Sequence, residues 1–405
     1  MFKLEIKNWL QADRKAQHND PVSLTKAELE ITLANIVISR NSLTKAKTVK
    51  LPLYPIAKWI ALNWWLLLYE SNFERLDYEF RHYLKYITPA IHYPNIRFIP
   101  DGAESVKVEF VPSKRSETRI NYFADEVYRW IEVTDLKASL SDFVQSVIAH
   151  LEDQGIKDSD LHRYWTSRNE SDSGIVNYYI ACSKLGLHPE ETNEELNDQL
   201  TNLVNIVGVE EALKLLDVVS IEELSFDFNT LSTQDAVESL QLDKDFEREL
   251  VDLRHELINY KQPYRRGYEL AQFFRRYFNL GDSEPIESTS KLFKELGLNI
   301  DSHIKSIPKS VDGISVSRRQ LQLDIFHEID REDNLRFLQA RTLCSFLMNG
   351  HSAYHVIADS SMPSQKMNRA FAAELLFPQK VVERKYALTE SDMKTFADDY
   401  LVSNL

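Results

Sequence analysis

The chain has 405 residues, with 48 Lys and Arg against 62 Asp and Glu, which gives a formal net charge of −14. This acidic balance argues against broad, non-specific binding to nucleic acids or anionic membranes, although it leaves room for a local basic patch. Cys182 and Cys344 are the two cysteines, too few for a disulfide framework or a four-cysteine zinc site.

The remaining composition predicts an α+β protein that is mainly helical. Hydrophobic residues make up 43% of the chain, and there are 10 Gly and 13 Pro. The N-terminus lacks the apolar core of a signal peptide. The most apolar run, Ile56–Glu70, is interrupted by Lys58 and Asn63, so we expect a cytoplasmic protein without a membrane span.

Residues 1–135 are predicted to form a mixed α/β module. Alternating apolar and polar residues within 24–50 predict a strand pair, and two strands are expected around a turn at Asp101–Gly102. Between them, the helical spacing of Trp59, Trp64 and Trp65 indicates core residues.

Residues 136–235 are predicted to be an all-α middle region. Its first helix is expected to start at a Ser139 cap and to stop at Gly155. The polar segments Ser113–Thr118 and Leu224–Asp235 are predicted to be a loop and a linker, and therefore the first sites of proteolysis.

Residues 236–405 form the third predicted segment. A long amphipathic helix opens it, and two further helices are expected to end at Gly281 and Gly297. The segments "VDGISVSRRQLQLDI", "LRFLQARTLCSFLM" and "QKMNRAFAAELLFP" follow.

The order of these elements from about Tyr264 resembles the ImmA/IrrE family of zinc-peptidase-like proteins. "LRFLQARTLCSFLM" falls where the family has RFTLAHELGHLLL, and "QKMNRAFAAELLFP" falls where it has ExxANxFAAELLMP. The resemblance covers about 130 residues and implies a zincin-like C-terminal domain, in which "VDGISVSRRQLQLDI" forms strands and the two later segments form helices. It leaves the first 235 residues unexplained.

The same resemblance implies that the zinc site is degenerate. The first ligand position holds Arg341, the general-base position Thr342, the second ligand position Ser345 and the third Gln365. A guanidinium has no lone pair to give, and a threonine hydroxyl does not take a proton from water near pH 7. Serine and glutamine are poor zinc ligands beside a fixed positive charge. We therefore expect no metal, no cofactor and no catalytic residue.

A displaced zinc site is the alternative. His351 and His355 lie four residues apart, but Ser352 rather than Glu follows the first. Gly350 also indicates that the preceding helix ends there. We therefore interpret both histidines as loop residues.

The arginine pair Arg265/Arg266 and the pair Arg275/Arg276 could contact phosphates, although a solvated face is favoured in so acidic a chain. Three hypotheses follow. The chain is a catalytically inactive peptidase-like protein that binds a protein partner as an interaction or regulatory subunit, in a prophage, toxin–antitoxin or phage-defence setting. Alternatively, it is a metallopeptidase with a displaced zinc site, or a nucleic-acid-binding regulator.

Two further expectations concern particular places. If the fold is kept, Arg341 points into the emptied metal site and needs an acidic partner, for which Asp324, Asp330 and Asp359 are candidates; otherwise the helix is rotated and Arg341 lies on the surface. The last residues, Leu388–Leu405, are expected to leave an apolar helix face that another chain covers, which predicts an oligomer or a complex subunit.

Overall fold

The computed structural model of this chain describes residues 1–11, 20–41, 46–71, 77–112, 122–168, 172–228, 242–257, 260, 262–281, 284–286, 288–318, 322–349, 353–360 and 362–380. Over these residues the fold is mixed α+β, about 51% helical and 20% strand. Within them, no helix combines the length and the apolar content that a membrane span requires. The Ser113–Thr118 loop, most of the predicted linker and Leu388–Leu405 lie outside the described residues.

The chain divides into two compact units, Met1–Asn193 and Glu194–Leu405. The elements of the first unit are β1 (Phe2–Trp9), α1 (Pro21–Leu24), β2 (Lys26–Leu33), β3 (Ile36–Val37), β4 (Val49–Pro52), α2 (Tyr54–Leu62), α3 (Trp64–Tyr69), α4 (Tyr78–His82), β5 (Ile96–Pro100), β6 (Ser105–Phe110), β7 (Val127–Glu132), α5 (Val133–Asp153), α6 (Asp160–Thr166) and α7 (Ser173–Lys184).

The first unit contains two antiparallel sheets. One has the order β1-β2-β3 with β4 also paired to β2, and the other has the order β5-β6-β7. The strands β5 and β6 flank the turn predicted at Asp101–Gly102, where Gly102 has a φ of +84°. Trp59, Trp64 and Trp65 are buried, as predicted from their helical spacing.

Packing groups residues 136–193 with the first unit, unlike the predicted boundary near residue 135. The helix α5 buries Leu140, Phe143 and Val147 in the core that also contains the strands of this unit. It begins at Val133, six residues before the predicted Ser139 cap, and the Ser139 hydroxyl instead donates to the Phe2 carbonyl at 2.7 Å.

The elements of the second unit are α8 (Glu194–Val207), α9 (Val209–Leu216), α10 (Lys244–Leu257), α11 (Pro263–Tyr277), α12 (Thr289–Glu295), β8 (Asn299–Ile304), β9 (Gly313–Arg318), β10 (Gln322–His327), α13 (Glu332–Met348), β11 (Tyr354–Ile357) and α14 (Pro363–Leu376). The strands form one sheet in the order β11-β9-β10-β8. Only β8 and β10 pair in parallel; the other neighbours are antiparallel.

Glycines fix two close approaches in this unit. A Cβ on Gly267 of α11 would lie 2.3 Å from the Met367 carbonyl oxygen, so the backbones of α11 and α14 touch there. A Cβ on Gly313 would lie 2.8 Å from Leu338 Cδ1, so β9 lies directly against α13. The first contact packs α11 against α14, and the second places α13 beside the sheet.

Two predicted helix ends have different outcomes. Gly297 follows α12 with a φ of +77°, as predicted for a glycine that ends a helix. The helix α11, however, ends at Tyr277, before Gly281. Asn279 takes the left-handed conformation there, with a φ of +52°, and the Leu280 amide donates to the Arg275 carbonyl at 2.8 Å.

Candidate functional site

The helix α13 is buried along most of its length. Glu332 and Asp333 lie in its first turn, where negative charge stabilises the helix dipole. Every side chain from Leu338 to Leu347 is buried. Polar side chains in that stretch must therefore find their partners inside the protein.

Arg341, at the predicted first ligand position on α13, is 5% exposed and bonds to three other parts of the second unit. Its Nη1 lies 2.6 Å from Asp312 Oδ2, just before β9, and its Nη2 lies 2.5 Å from the Ala358 carbonyl oxygen, just after β11. The same Nη2 donates to Gln365 Oε1 of α14 at 3.1 Å. Burial lowers the pKa of Arg341, and the Asp312 carboxylate opposes that shift.

The surface alternative for Arg341 is therefore wrong, and Asp312 rather than any of the three candidate acids is its hydrogen-bond partner. Asp324 pairs with Arg318, and Asp359 pairs with Arg369 at 2.8 Å. Asp312 is the partner because the chain enters β9 beside Arg341. Asp312 and Arg341 are too far apart in the sequence for residue spacing to predict their contact.

The side-chain amide of Gln365, at the predicted third ligand position, makes the hydrogen bonds to β11 that a neighbouring strand would otherwise make. Its Nε2 donates to the Val356 carbonyl at 2.7 Å, and its Oε1 accepts from the Ala358 amide at 3.2 Å. These groups belong to the side of β11 that faces away from β9. Pro363 at the start of α14 fixes φ in the first turn that carries Gln365.

Glu211 of α9 extends this cover along the same side of β11. Its Oε2 accepts from the Val356 amide at 3.4 Å, and Lys214 pairs with its Oε1 at 2.6 Å. Burial raises the pKa of the Glu211 carboxyl, an effect that Lys214 opposes. Arg341, Gln365 and Glu211 thus occupy the outer backbone groups of Val356 and Ala358, which we name the capped edge.

Thr342 and Ser345, at the predicted base and second ligand positions, are both buried. Thr342 Oγ1 is buried and makes no hydrogen bond to the described residues. Ser345 Oγ lies 3.5 Å from His355 Nδ1, at the limit of a hydrogen bond. His355 is fully buried on β11, next to Ser315 of β9.

These residues do not fit a zinc ion of the kind that the resemblance implies. Arg341 brings a cation with no free lone pair. Both the oxygen and the nitrogen of the Gln365 amide are hydrogen-bonded to the backbone at β11. Ser345 and Thr342 are neutral hydroxyls, which zinc rarely accepts as ligands. The four positions therefore do not supply the ligands of a zinc-dependent hydrolase.

The displaced zinc site is not supported by the position of His355. It was predicted to be a loop residue but lies in β11, 0% exposed, and His351 lies outside the described residues. Cys344, next in the chain to Ser345, is fully buried, and burial raises the pKa of its thiol. A raised pKa disfavours the thiolate that binds metal.

Within the part of the chain that the structure describes, there is a group of potential metal ligands that sequence reasoning missed. Asp301 and His303 of β8 and Asp324 of β10 place their ligand atoms within 4.8 Å of one another. Asp324, however, accepts hydrogen bonds from Arg318 and from Gln322 Nε2. Part of its charge is therefore already compensated.

The arginine pairs divide between internal and exposed positions. Arg275 is 3% exposed and donates to the Leu375 carbonyl at 2.6 Å and the Glu284 carbonyl at 2.7 Å, so it holds α11 in place rather than facing a phosphate. Arg266 donates to the Tyr260 carbonyl at 2.8 Å. Arg265 and Arg276 are exposed.

Comparison with known proteins adds no assignment. Neither the protein-family models nor the curated proteins contain a match to this chain.

Proposed function

We propose that this chain is a catalytically inactive, cytoplasmic, peptidase-like protein of the ImmA/IrrE type, which acts as a protein-interaction or regulatory subunit. One observation carries the proposal. Of the positions that the resemblance assigns to zinc chemistry, Arg341 and Gln365 hydrogen-bond to each other and to β11. Residues placed for hydrolysis in an active relative are used here to hold the fold together.

Hydrolysis of a peptide bond by a zincin needs a polarised water and a base that accepts its proton. Thr342 stands at the base position, and a fixed cation stands at the first ligand position. A cation there repels the ion that would polarise the water. The proposed activity is therefore binding without cleavage, which suits a regulator in the prophage, toxin–antitoxin or phage-defence settings that the resemblance suggests.

The capped edge limits how such a partner can bind. An extended peptide that adds a strand to a sheet needs free backbone donors and acceptors at the edge. The outer backbone donors and acceptors of Val356 and Ala358 are already hydrogen-bonded to Glu211, Gln365 and Arg341. The partner surface consequently lies elsewhere than the outer side of β11.

Metal titration of the purified chain, by calorimetry and elemental analysis, tests the proposal. We expect no stoichiometric zinc and no change in melting temperature when a strong chelator is added. The restored variant Arg341→His, Thr342→Glu, Ser345→His and Gln365→Glu should gain zinc binding if the resemblance has placed these positions correctly. The matched control carries the same changes except Gln365→Glu, and should bind zinc more weakly.

One zinc per wild-type chain would contradict the proposal. His355→Ala and Asp301→Ala would then show which group holds the ion. A restored variant that folds but binds no zinc would instead remove the resemblance on which the peptidase-like assignment depends.

A further inference from the structure

The strand β8 forms the other edge of the second unit's sheet, and it is open. It pairs with β10 alone, and five of its six residues are exposed. The Lys305 amide, just after β8, donates to the His327 carbonyl at 2.9 Å. In a parallel ladder, alternate residues of a strand bond to the same neighbour, so Asn299, Asp301 and His303 face β10 like Lys305. Ile300, Ser302 and Ile304 therefore direct their backbone groups away from β10.

Nothing in the described residues covers that side of β8. No described residue hydrogen-bonds to the backbone of Ile300, Ser302 or Ile304 from outside the sheet. The Ile304 side chain is 72% exposed, the highest value among the large hydrophobic residues that the structure describes. Open edges of this kind pair readily with another strand.

The sequence of β8 is complementary to itself when it is reversed. Ile300-Asp301-Ser302-His303-Ile304 reads as an apolar, an acidic, a small, a basic and an apolar residue. In an antiparallel pair of two copies centred on Ser302, Asp301 lies opposite His303 of the second copy. Ile304 then lies opposite Ile300 of the second copy and on the same face.

We propose that two copies of this chain associate through β8, in antiparallel register about Ser302. The four-stranded sheets of the two copies would join into one sheet of eight strands. About six backbone hydrogen bonds would form, because Ile300, Ser302 and Ile304 all face the open edge. The surface is separate from the Arg341 site and does not depend on the proposed function.

Charge and apolar contact separate this register from its neighbours. A pair centred on Asp301 would place two carboxylates directly opposite each other, which destabilises a sheet. A pair centred on His303 would place Ile304 opposite Ser302 and would lose the contact between Ile304 and Ile300. One strand pair buries little surface, so the dimer should be weak and should depend on protein concentration.

Cysteine cross-linking tests the register. Ser302→Cys places two thiols on Cα atoms about 5.5 Å apart in the proposed dimer, within reach of a disulfide. Asp301→Cys is the matched control, because its Cα atoms would be about 8 Å apart and too distant to bridge. The native Cys182 and Cys344 are buried and should not interfere.

We expect mild oxidation to convert Ser302→Cys to a disulfide dimer at least tenfold faster than Asp301→Cys. Equal rates, or faster cross-linking of Asp301→Cys, would overturn the register. Sedimentation equilibrium tests the association itself. Ile304→Lys should abolish dimerisation and Ile304→Val should keep it, and an exposed side chain makes either change tolerable to the fold. A wild-type chain that stays monomeric at the highest soluble concentration would overturn the proposal.

Discussion

At the position where the resemblance places a zinc ligand, the chain has a cationic side chain of its own, Arg341. Its guanidinium reaches Asp312, the Ala358 carbonyl and Gln365, and so connects α13 to β9, β11 and α14. A buried charge is tolerated only while such partners remain in place. The residue is therefore a structural clamp at the centre of the second unit.

Replacing Arg341 should destabilise the second unit. Arg341→Ala is expected to lower the free energy of unfolding by about 3 kcal/mol, the lower end for a buried pair, because Asp312 can still reach water. The control is Arg369→Ala, whose partner Asp359 is 87% exposed; it should cost under about 1 kcal/mol. Urea denaturation measures both values. Equal small losses would show that Arg341 contributes no more than a surface residue.

The expectation that Arg341 and Gln365 lie close together came from the resemblance and not from residue spacing. Neither predicted the other partners of Arg341. Asp312 and Glu211 lie in a turn and on α9, and their contacts arise only when the sheet is assembled. The one signal that pointed to Asp312 was general: a buried arginine needs an acid.

Among the elements, the contact between α11 and α14 depends on a missing side chain. Gly267→Ala would push a methyl group against the Met367 carbonyl and the Phe371 amide, which are backbone atoms and cannot rotate away. Overpacking of this kind typically costs about 1–3 kcal/mol. We expect a lower melting temperature in calorimetry, without loss of helix content below the transition.

Gly281→Ala provides the comparison. A methyl group at Gly281 would meet only the side chain of Glu284, at 3.0 Å, and a flexible side chain can move. Its melting temperature should stay close to that of the wild type. A Gly267→Ala protein as stable as this control would contradict the close approach of the two helices.

Strands were easier to predict than helix ends. Alternating residues and turn chemistry predicted β5 and β6, whereas β9 and β10 were expected from the resemblance. The start of α5 was placed wrongly because its N-cap residue, Glu132, makes no side-chain cap bond, so the sequence carries no cap signal there. The end of α11 was misplaced because Asn279 does the work usually given to glycine.

At the scale of the whole molecule, the boundary between the compact units decides which fragments can fold. The core of the first unit includes Leu140, Phe143, Val147 and Trp165, which all follow residue 135. A fragment that ends at residue 135 would lose the helix that buries the strands. The boundary at Asn193 keeps this core whole.

Expression of two fragments tests that reasoning. Residues 1–193 should give a cooperative thermal transition, followed by circular dichroism. Residues 1–135 should be insoluble or should melt without a cooperative transition, because large apolar surfaces are left uncovered. A well-folded 1–135 fragment would favour the three-segment division predicted from the sequence.

The capped edge also has a consequence for local opening of the native protein. The Ala358 amide hydrogen is bound by Gln365, a side chain on α14 rather than a neighbouring strand. Its exchange with deuterated solvent therefore requires α14 to move, whereas the outward amides of β8 need no such event. We expect Ala358 to exchange far more slowly than Ser302 in the monomer, and Gln365→Ala to accelerate Ala358 selectively. The exchange rate of the Ala358 amide hydrogen therefore measures how often α14 separates from β11.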